Sequence, residues 1–157
     1  MEPRVLILAY GNPLRSDDGI AWHVADLLRK RLSSNLVEIV CAHQLTPEFA
    51  ETVSRACGAI FIDARGDGEP GQIYWTRIAT ATDSMYGSHM LTPAQLMTLC
   101  NVLYENSPAA YEVSVTGECF SHGVQLSDCL KNALPQIVTL VIELAGKSSK
   151  RRTNSPY

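Results

Sequence analysis

The apolar positions fall into blocks whose period switches between strand and helix. Val5 to Ala9 is a continuous apolar run with no alternation, which predicts a parallel strand covered on both faces. Ile20, Val24, Leu27 and Leu28 then recur at helical spacing, one apolar stripe of an amphipathic helix. Leu36 to Cys41 reads as a second strand. Thr46-Pro47 reads as cap and first residue of a second helix with Phe49, Val53 and Ala56 as its stripe, ended by Gly58. Ala59 to Ile62 is a third strand with Asp63 at its end, and Gln72 to Ile78 a fourth. Thr80 to Met90 has no strong period and reads as a surface segment. Thr92-Pro93 opens a helix with Leu96, Leu99, Cys100 and Leu103 on its stripe. Tyr111 to Thr116 alternates as a fifth strand. Ser127 is placed to cap a last helix carrying Leu130, Leu134, Ile137, Val138, Val141 and Ile142, and Pro135 inside it predicts a kink or a junction of two helices. Strands alternating with helices predict an α/β fold: a three-layer sandwich with a mostly parallel five-stranded sheet and helices on both faces.

Composition adds bounds to this pattern. A chain of 157 residues is the size of one domain, expected over 1–146, with a basic polar tail at 147–157 expected to be disordered. The formal charge of −3 gives no footprint for nucleic acid. No run reaches the ~18 consecutive apolar residues of a membrane span, and the N-terminus shows no secretory signal pattern. The five cysteines form no C-x-x-C, and buried free thiols in a reducing compartment are expected.

The chemistry gathers where strands meet helices. Gly11-Asn12-Pro13-Leu14-Arg15-Ser16-Asp17-Asp18-Gly19 joins the first strand to the first helix, at the carboxyl edge of the sheet where α/β proteins bind ligands. Gly11 and Gly19 are eight apart, so G-x-G-x-x-G is absent, and no Gly-Lys-Ser/Thr follows. The loop offers carboxylates suited to a cation or to proton management. Asp17 is expected to cap the helix, while for Asp18 capping and chemistry stand level. Asp18, Asp63 and His89 come from three separate loops that can converge in one cleft. Oxygen plus imidazole suits a divalent first-row ion such as nickel or zinc, or a proton-shuttling pair. Spacing alone does not select among these, because polar residues stand at such loops in any α/β protein. G-x-S-x-G is absent, so no serine nucleophile is signalled.

The stretch Val5 to Ile20 resembles the opening motif of the hydrogenase maturation endopeptidases: a strand, Gly11-Asn12, a spacer, Asp17-Asp18 and Gly19. Phe61-Ile62-Asp63-Ala64 and Ser88-His89 fall where that family has its second acid and its histidine, and the resemblance spans 4–144. It implies an endopeptidase that removes a C-terminal extension from the large-subunit precursor of a nickel–iron hydrogenase after nickel insertion. Asp18, Asp63 and His89 inherit the metal-contacting and catalytic roles. The nickel is implied to arrive with the substrate, with no organic cofactor. Whether a carboxylate or the metal activates water stays open. Where many members have an Asp-Gly-Gly-Thr-like run, this chain has His43-Gln44-Leu45-Thr46. That departure points to a cytoplasmic bidirectional hydrogenase as substrate class, with His43 and Gln44 in substrate recognition. The protein is expected to be a cytoplasmic monomer whose partner is the precursor, with neither nucleic acid nor membrane involved. Two rival readings are a non-catalytic metal- or precursor-binding maturation chaperone on the same fold and a nucleotide- or flavin-binding protein.

Overall fold

The computed structural model describes residues 3–79 and 90–150. Their elements run β1 (Val5–Tyr10), a 3₁₀ turn (Ser16–Gly19), α1 (Ile20–Arg31), β2 (Val37–Ala42), α2 (Phe49–Ser54), β3 (Gly58–Arg65), β4 (Ile73–Arg77), α3 (Pro93–Tyr104), β5 (Ala110–Thr116) and α4 (Asp128–Lys150). One five-stranded sheet has the order β2-β1-β3-β5-β4. All of its pairings are parallel except β4 against β5. The expected mostly parallel three-layer sandwich is what forms.

Alternation along β1 divides the core. Val5, Ile7 and Ala9 face one side and join the stripes of α1 and α4, among them Ile20, Val24, Leu28, Ile137 and Val141. Leu6, Leu8 and Tyr10 face the other and join Val53 of α2 and Leu96, Met97 and Cys100 of α3. Both faces of β1 are buried, which is why its sequence is apolar without a break.

Several element ends differ from the expectation. Helix α2 begins at Phe49, because Thr46 and Pro47 form a preceding turn whose carbonyls accept from Phe49 and Ala50 three residues on. It ends at Ser54, and Gly58 opens β3 in register with Val5. A Cβ on Gly58 would lie 2.6 Å from Ser148 Cβ, so this glycine serves helix packing. Strand β3 continues past Asp63 to Arg65. Helix α3 is capped as expected, Thr92 and Gln95 forming a capping box. Met97 completes its buried stripe, and Leu103 is 59% exposed. Helix α4 is a single element through Pro135 and runs to Lys150. The expected boundary at 146 is therefore too early, since Ser148 is buried against β3; the rest of the expected tail, 151–157, lies outside the described residues. Among the described residues one helix, α4, is long and apolar enough to cross a membrane, but its apolar residues pack on the sheet. None of the five cysteines forms a disulfide; the expectation of burial holds for Cys100, while the other four are partly exposed.

Candidate active site

A reversal of strand order makes the crevice. β2 lies on one side of β1 and β3 on the other, so the connections leaving β1 and β3 run in opposite directions and open a cleft between them at the carboxyl edge. The 11–19 loop leaves β1 there. Gly11 has φ +136°, and a Cβ on it would sit 2.2 Å from the Asp18 carbonyl oxygen, so only glycine fits. The Gly11 carbonyl accepts from Trp22 Nε1 at 2.9 Å. The loop wraps round Asp18, whose Oδ2 accepts from the Asn12 N–H at 2.9 Å.

Asp17 points the other way and does not cap the helix. It is wholly buried. Its Oδ2 accepts from Glu118 N, Cys119 N and Ser127 Oγ at 2.8, 2.9 and 2.7 Å. Its Oδ1 accepts from Ser127 N at 2.7 Å. Burial alone would raise this carboxyl, but the hydrogen bonds from Ser127, Cys119 and Glu118 outweigh it and hold the group below its ordinary range. Ser127, expected to cap α4, gives its hydroxyl to this carboxylate. The next residue back, Ser16, takes a left-handed conformation with φ +49°. Its Oγ donates to the Ser121 carbonyl at 2.8 Å.

Asp63 stands across the crevice on β3. In register it pairs with Ser114 of β5, and Tyr10, one residue beyond the Ala9–Ile62 pair, lies on its other side. Its Oδ1 accepts from Ala64 N at 2.8 Å. Burial pushes the carboxyl up to about 7, and the negative charges of Asp18 and Glu112 push the same way; the Ala64 N–H and the Tyr10 hydroxyl oppose them. Tyr10 is itself pushed well above its ordinary value, by burial first and then by the charges of Asp63 and Glu112. Asp18 and Asp63 thus lie close enough for one charge to act on the other, and the Asp63 carboxyl is held up to about 7. That is the condition for acid–base work at pH 7.

Of the three residues expected to converge, Asp18 follows β1 and Asp63 lies near the carboxyl end of neighbouring β3, where the charge of the first acts on the second. His43 and Gln44 follow β2 at the same carboxyl edge and are exposed. The His43 ring meets Trp22 edge-on, centroids 5.8 Å apart. His89 lies outside the described residues. Among the described residues no group of three His, Cys, Asp or Glu side chains is placed to hold a metal ion; Asp18 and Asp63 supply two oxygen donors. Two neighbours of the site went unread in the sequence. Tyr10 ends an apolar run and passes for core. Glu112 was detectable, because the alternation of Tyr111, Val113 and Val115 turns it onto the opposite face.

No family model matches the sequence, and no curated protein matches it. Solved structures do. The hydrogenase maturating endopeptidase HybD from E. coli superposes with TM-score 0.73 at 22% identity, over 92% of this chain and 93% of that one. The [NiFe] hydrogenase maturation protease HycI from Thermococcus kodakarensis gives 0.73 at 16%, over 91% and 92%. The hydrogenase 2 maturation peptidase from Thaumarchaeota archaeon SCGC_AB-539-E09 gives 0.68 at 21%, over 91% and 98%. The chain has the fold of the hydrogenase maturation proteases.

Proposed function

We propose that this protein is an endopeptidase that removes the C-terminal extension of a nickel-loaded [NiFe] hydrogenase large-subunit precursor. The observation that carries the reading is the meeting of Asp18 and Asp63 in the β1–β3 crevice, with the Asp63 carboxyl pushed up to about 7. The shared fold with proteases named for this task supports it. In this reading Asp18, Asp63 and His89 grip the nickel that the precursor carries. Asp63, able to hold or release a proton near neutral pH, serves as general base toward water. Binding energy from these groups is then available only with loaded precursor, so the metal acts as a checkpoint through differential affinity. His43 and Gln44, exposed at the same rim, contact the precursor, and we propose a cytoplasmic bidirectional hydrogenase as its class. Cytoplasmic location accords with five cysteines that form no disulfide with one another. A monomer suffices, because Asp18, Asp63, His43 and Gln44 all come from one chain.

The test is intact-mass spectrometry of nickel-loaded and metal-free precursor after incubation with the protein. Loss of a C-terminal fragment from the loaded form alone is the expected result. Stable complex formation with no mass change would replace the protease with a maturation chaperone.

A further inference from the structure

Beside the crevice, a groove of about 300 Å³ lies over β5 and β4, lined by Arg65, Tyr74, Trp75, Thr76, Glu112 and Ser114. It adjoins the site: Ser114 is the register partner of Asp63, and the charge of Glu112 is felt at Asp63. Glu112 is partly buried. Among the described residues it makes no hydrogen bond and no ion pair. The cation whose field reaches it, Arg65, is engaged elsewhere. Arg65 donates from Nε and Nη2 to the two Asp67 oxygens at 2.9 and 2.7 Å, and its guanidinium lies 4.2 Å over the Tyr74 ring. Asp67 thus engages the Arg65 guanidinium, and among the described residues no cation is in contact with Glu112. A carboxylate drawn part-way out of water without a counter-ion costs free energy that a cationic ligand recovers. Burial pushes the Glu112 carboxyl up, with Arg65 only partly opposing it, in line with a missing partner. A lone carboxylate flanked by the Ser114 and Thr76 hydroxyls suits an ammonium or guanidinium better than a divalent ion, which gathers several oxygen ligands.

We propose that this groove is a specificity subsite that receives the cationic side chain of an arginine or lysine in the polypeptide substrate, with Glu112 as its counter-ion. The word substrate rests on the peptidase reading above; the cation preference does not. Two measurements keep these apart. In the first, ¹⁵N-labelled protein is titrated with N-acetyl-arginine amide and with its neutral isostere N-acetyl-citrulline amide. The arginine compound is expected to shift the amides of Glu112, Ser114 and Thr76 at concentrations where the citrulline compound does not. Glu112→Gln is expected to erase that difference while leaving the rest of the spectrum in place. Equal shifts by the two compounds, or none at the groove, would overturn the subsite. In the second, precursors with single Arg→Gln or Lys→Gln changes near the cut are processed by both proteins. One such change is expected to lower kcat/KM about tenfold for wild type, the scale of a hydrogen-bonded charge, and to have no further effect with Glu112→Gln. A loss of the same size in both proteins would refute Glu112 as the reader. If wild type cuts no precursor, the peptidase reading falls and the titration alone decides the groove.

Discussion

Asp17 and Asp18 are adjacent and chemically identical, yet their substitution is expected to fail in opposite ways. In Asp17→Asn the amide oxygen can take the place of Oδ2 and keep Glu118 N, Cys119 N and Ser127 Oγ. The amide NH₂ then confronts Ser127 N, a donor that now sits 2.7 Å from Oδ1. One buried donor is left unpaired, at about 1–3 kcal/mol, and three charge-assisted bonds become neutral ones of roughly half the strength. Together the loss is about 3–5 kcal/mol, the usual scale for removing one side of a buried charged network. In a domain of this length that lowers Tm by about 6–20 °C. Asp18→Asn loses little stability, because its single loop hydrogen bond from Asn12 can pass to the amide oxygen, at a cost of about 1 kcal/mol. It should nevertheless abolish precursor cutting. Urea unfolding at pH 7 measures the first effect and intact-mass processing the second. The sign with pH follows from the lowered Asp17 carboxyl. Its contribution is fully present above the ordinary value of 3.8 and is lost as pH falls from there through the lower folded value. Asp17→Asn should therefore flatten the acid limb of the stability curve. A melting point for Asp17→Asn within about 2 °C of wild type, less than 1 kcal/mol, would refute the clamp.

Asp63 should act with the opposite sign. Its folded value of about 7 lies above 3.8, so stability from this group falls as pH rises from about 4 to 7. Asp63→Asn, which removes that fall, should match wild type in urea near pH 4 and exceed it at pH 8, by up to about 4 kcal/mol. Calorimetric titration with nickel ion alone should show proton release and an affinity that drops toward tenfold per pH unit below about 7, since binding needs the ionised carboxylate; a flat profile would remove Asp63 from the donor set. Gly58→Ala should destabilise by about 1–3 kcal/mol through overpacking against Ser148, and Ser148→Gly should restore part of it in a double-mutant cycle. His89→Ala should leave folding intact and stop cutting of loaded precursor, as read by mass.

Much of the frame was legible because it is written in apolar periods. The unbroken run of β1, the stripes of α1 and α4 and the Thr92-Pro93 start of α3 each carry a local physical signature. What stayed hidden depends on partners far along the chain. Asp17 looks like a helix cap until residues 118–127, over a hundred positions away, bring three N–H groups and a hydroxyl to it. Gly58 looks like a helix end because nothing local announces that α4 will press Ser148 against it. Of the site, Asp18 was legible from its place after β1, and Asp63 from the end of the apolar run of β3, though the strand continues past it to Arg65. Glu112 was overlooked because one acidic residue in an alternating strand normally means a solvated face.

The first loop also decides what class of ligand the crevice can take. Doubly wound folds that bind nucleotides leave the amides after the first strand free to meet phosphate. Here those amides are already engaged. Gly11 N donates to the Ala42 carbonyl, Arg15 N to Asn12, Ser16 N to Gly123, Asp17 N to Cys119 and Asp18 N to Arg15. Asn12 N is taken by the Asp18 carboxylate and Leu14 N by the Asn12 side chain, while residue 13 is proline and has no N–H. From 11 to 18 the loop offers no donor row to an anion, and it carries the Asp18 carboxylate near enough for its charge to raise the Asp63 carboxyl. A phosphate entering here would meet the Asp18 and Asp63 carboxyls and no row of open backbone amides, which argues against the nucleotide or flavin reading. A cation entering here finds oxygen donors on both walls. The Asp17 clamp is what sustains this inversion: by tying the 3₁₀ turn to the β5–α4 loop, it holds the backbone N–H groups inward and leaves Asp18 as the group that faces the crevice.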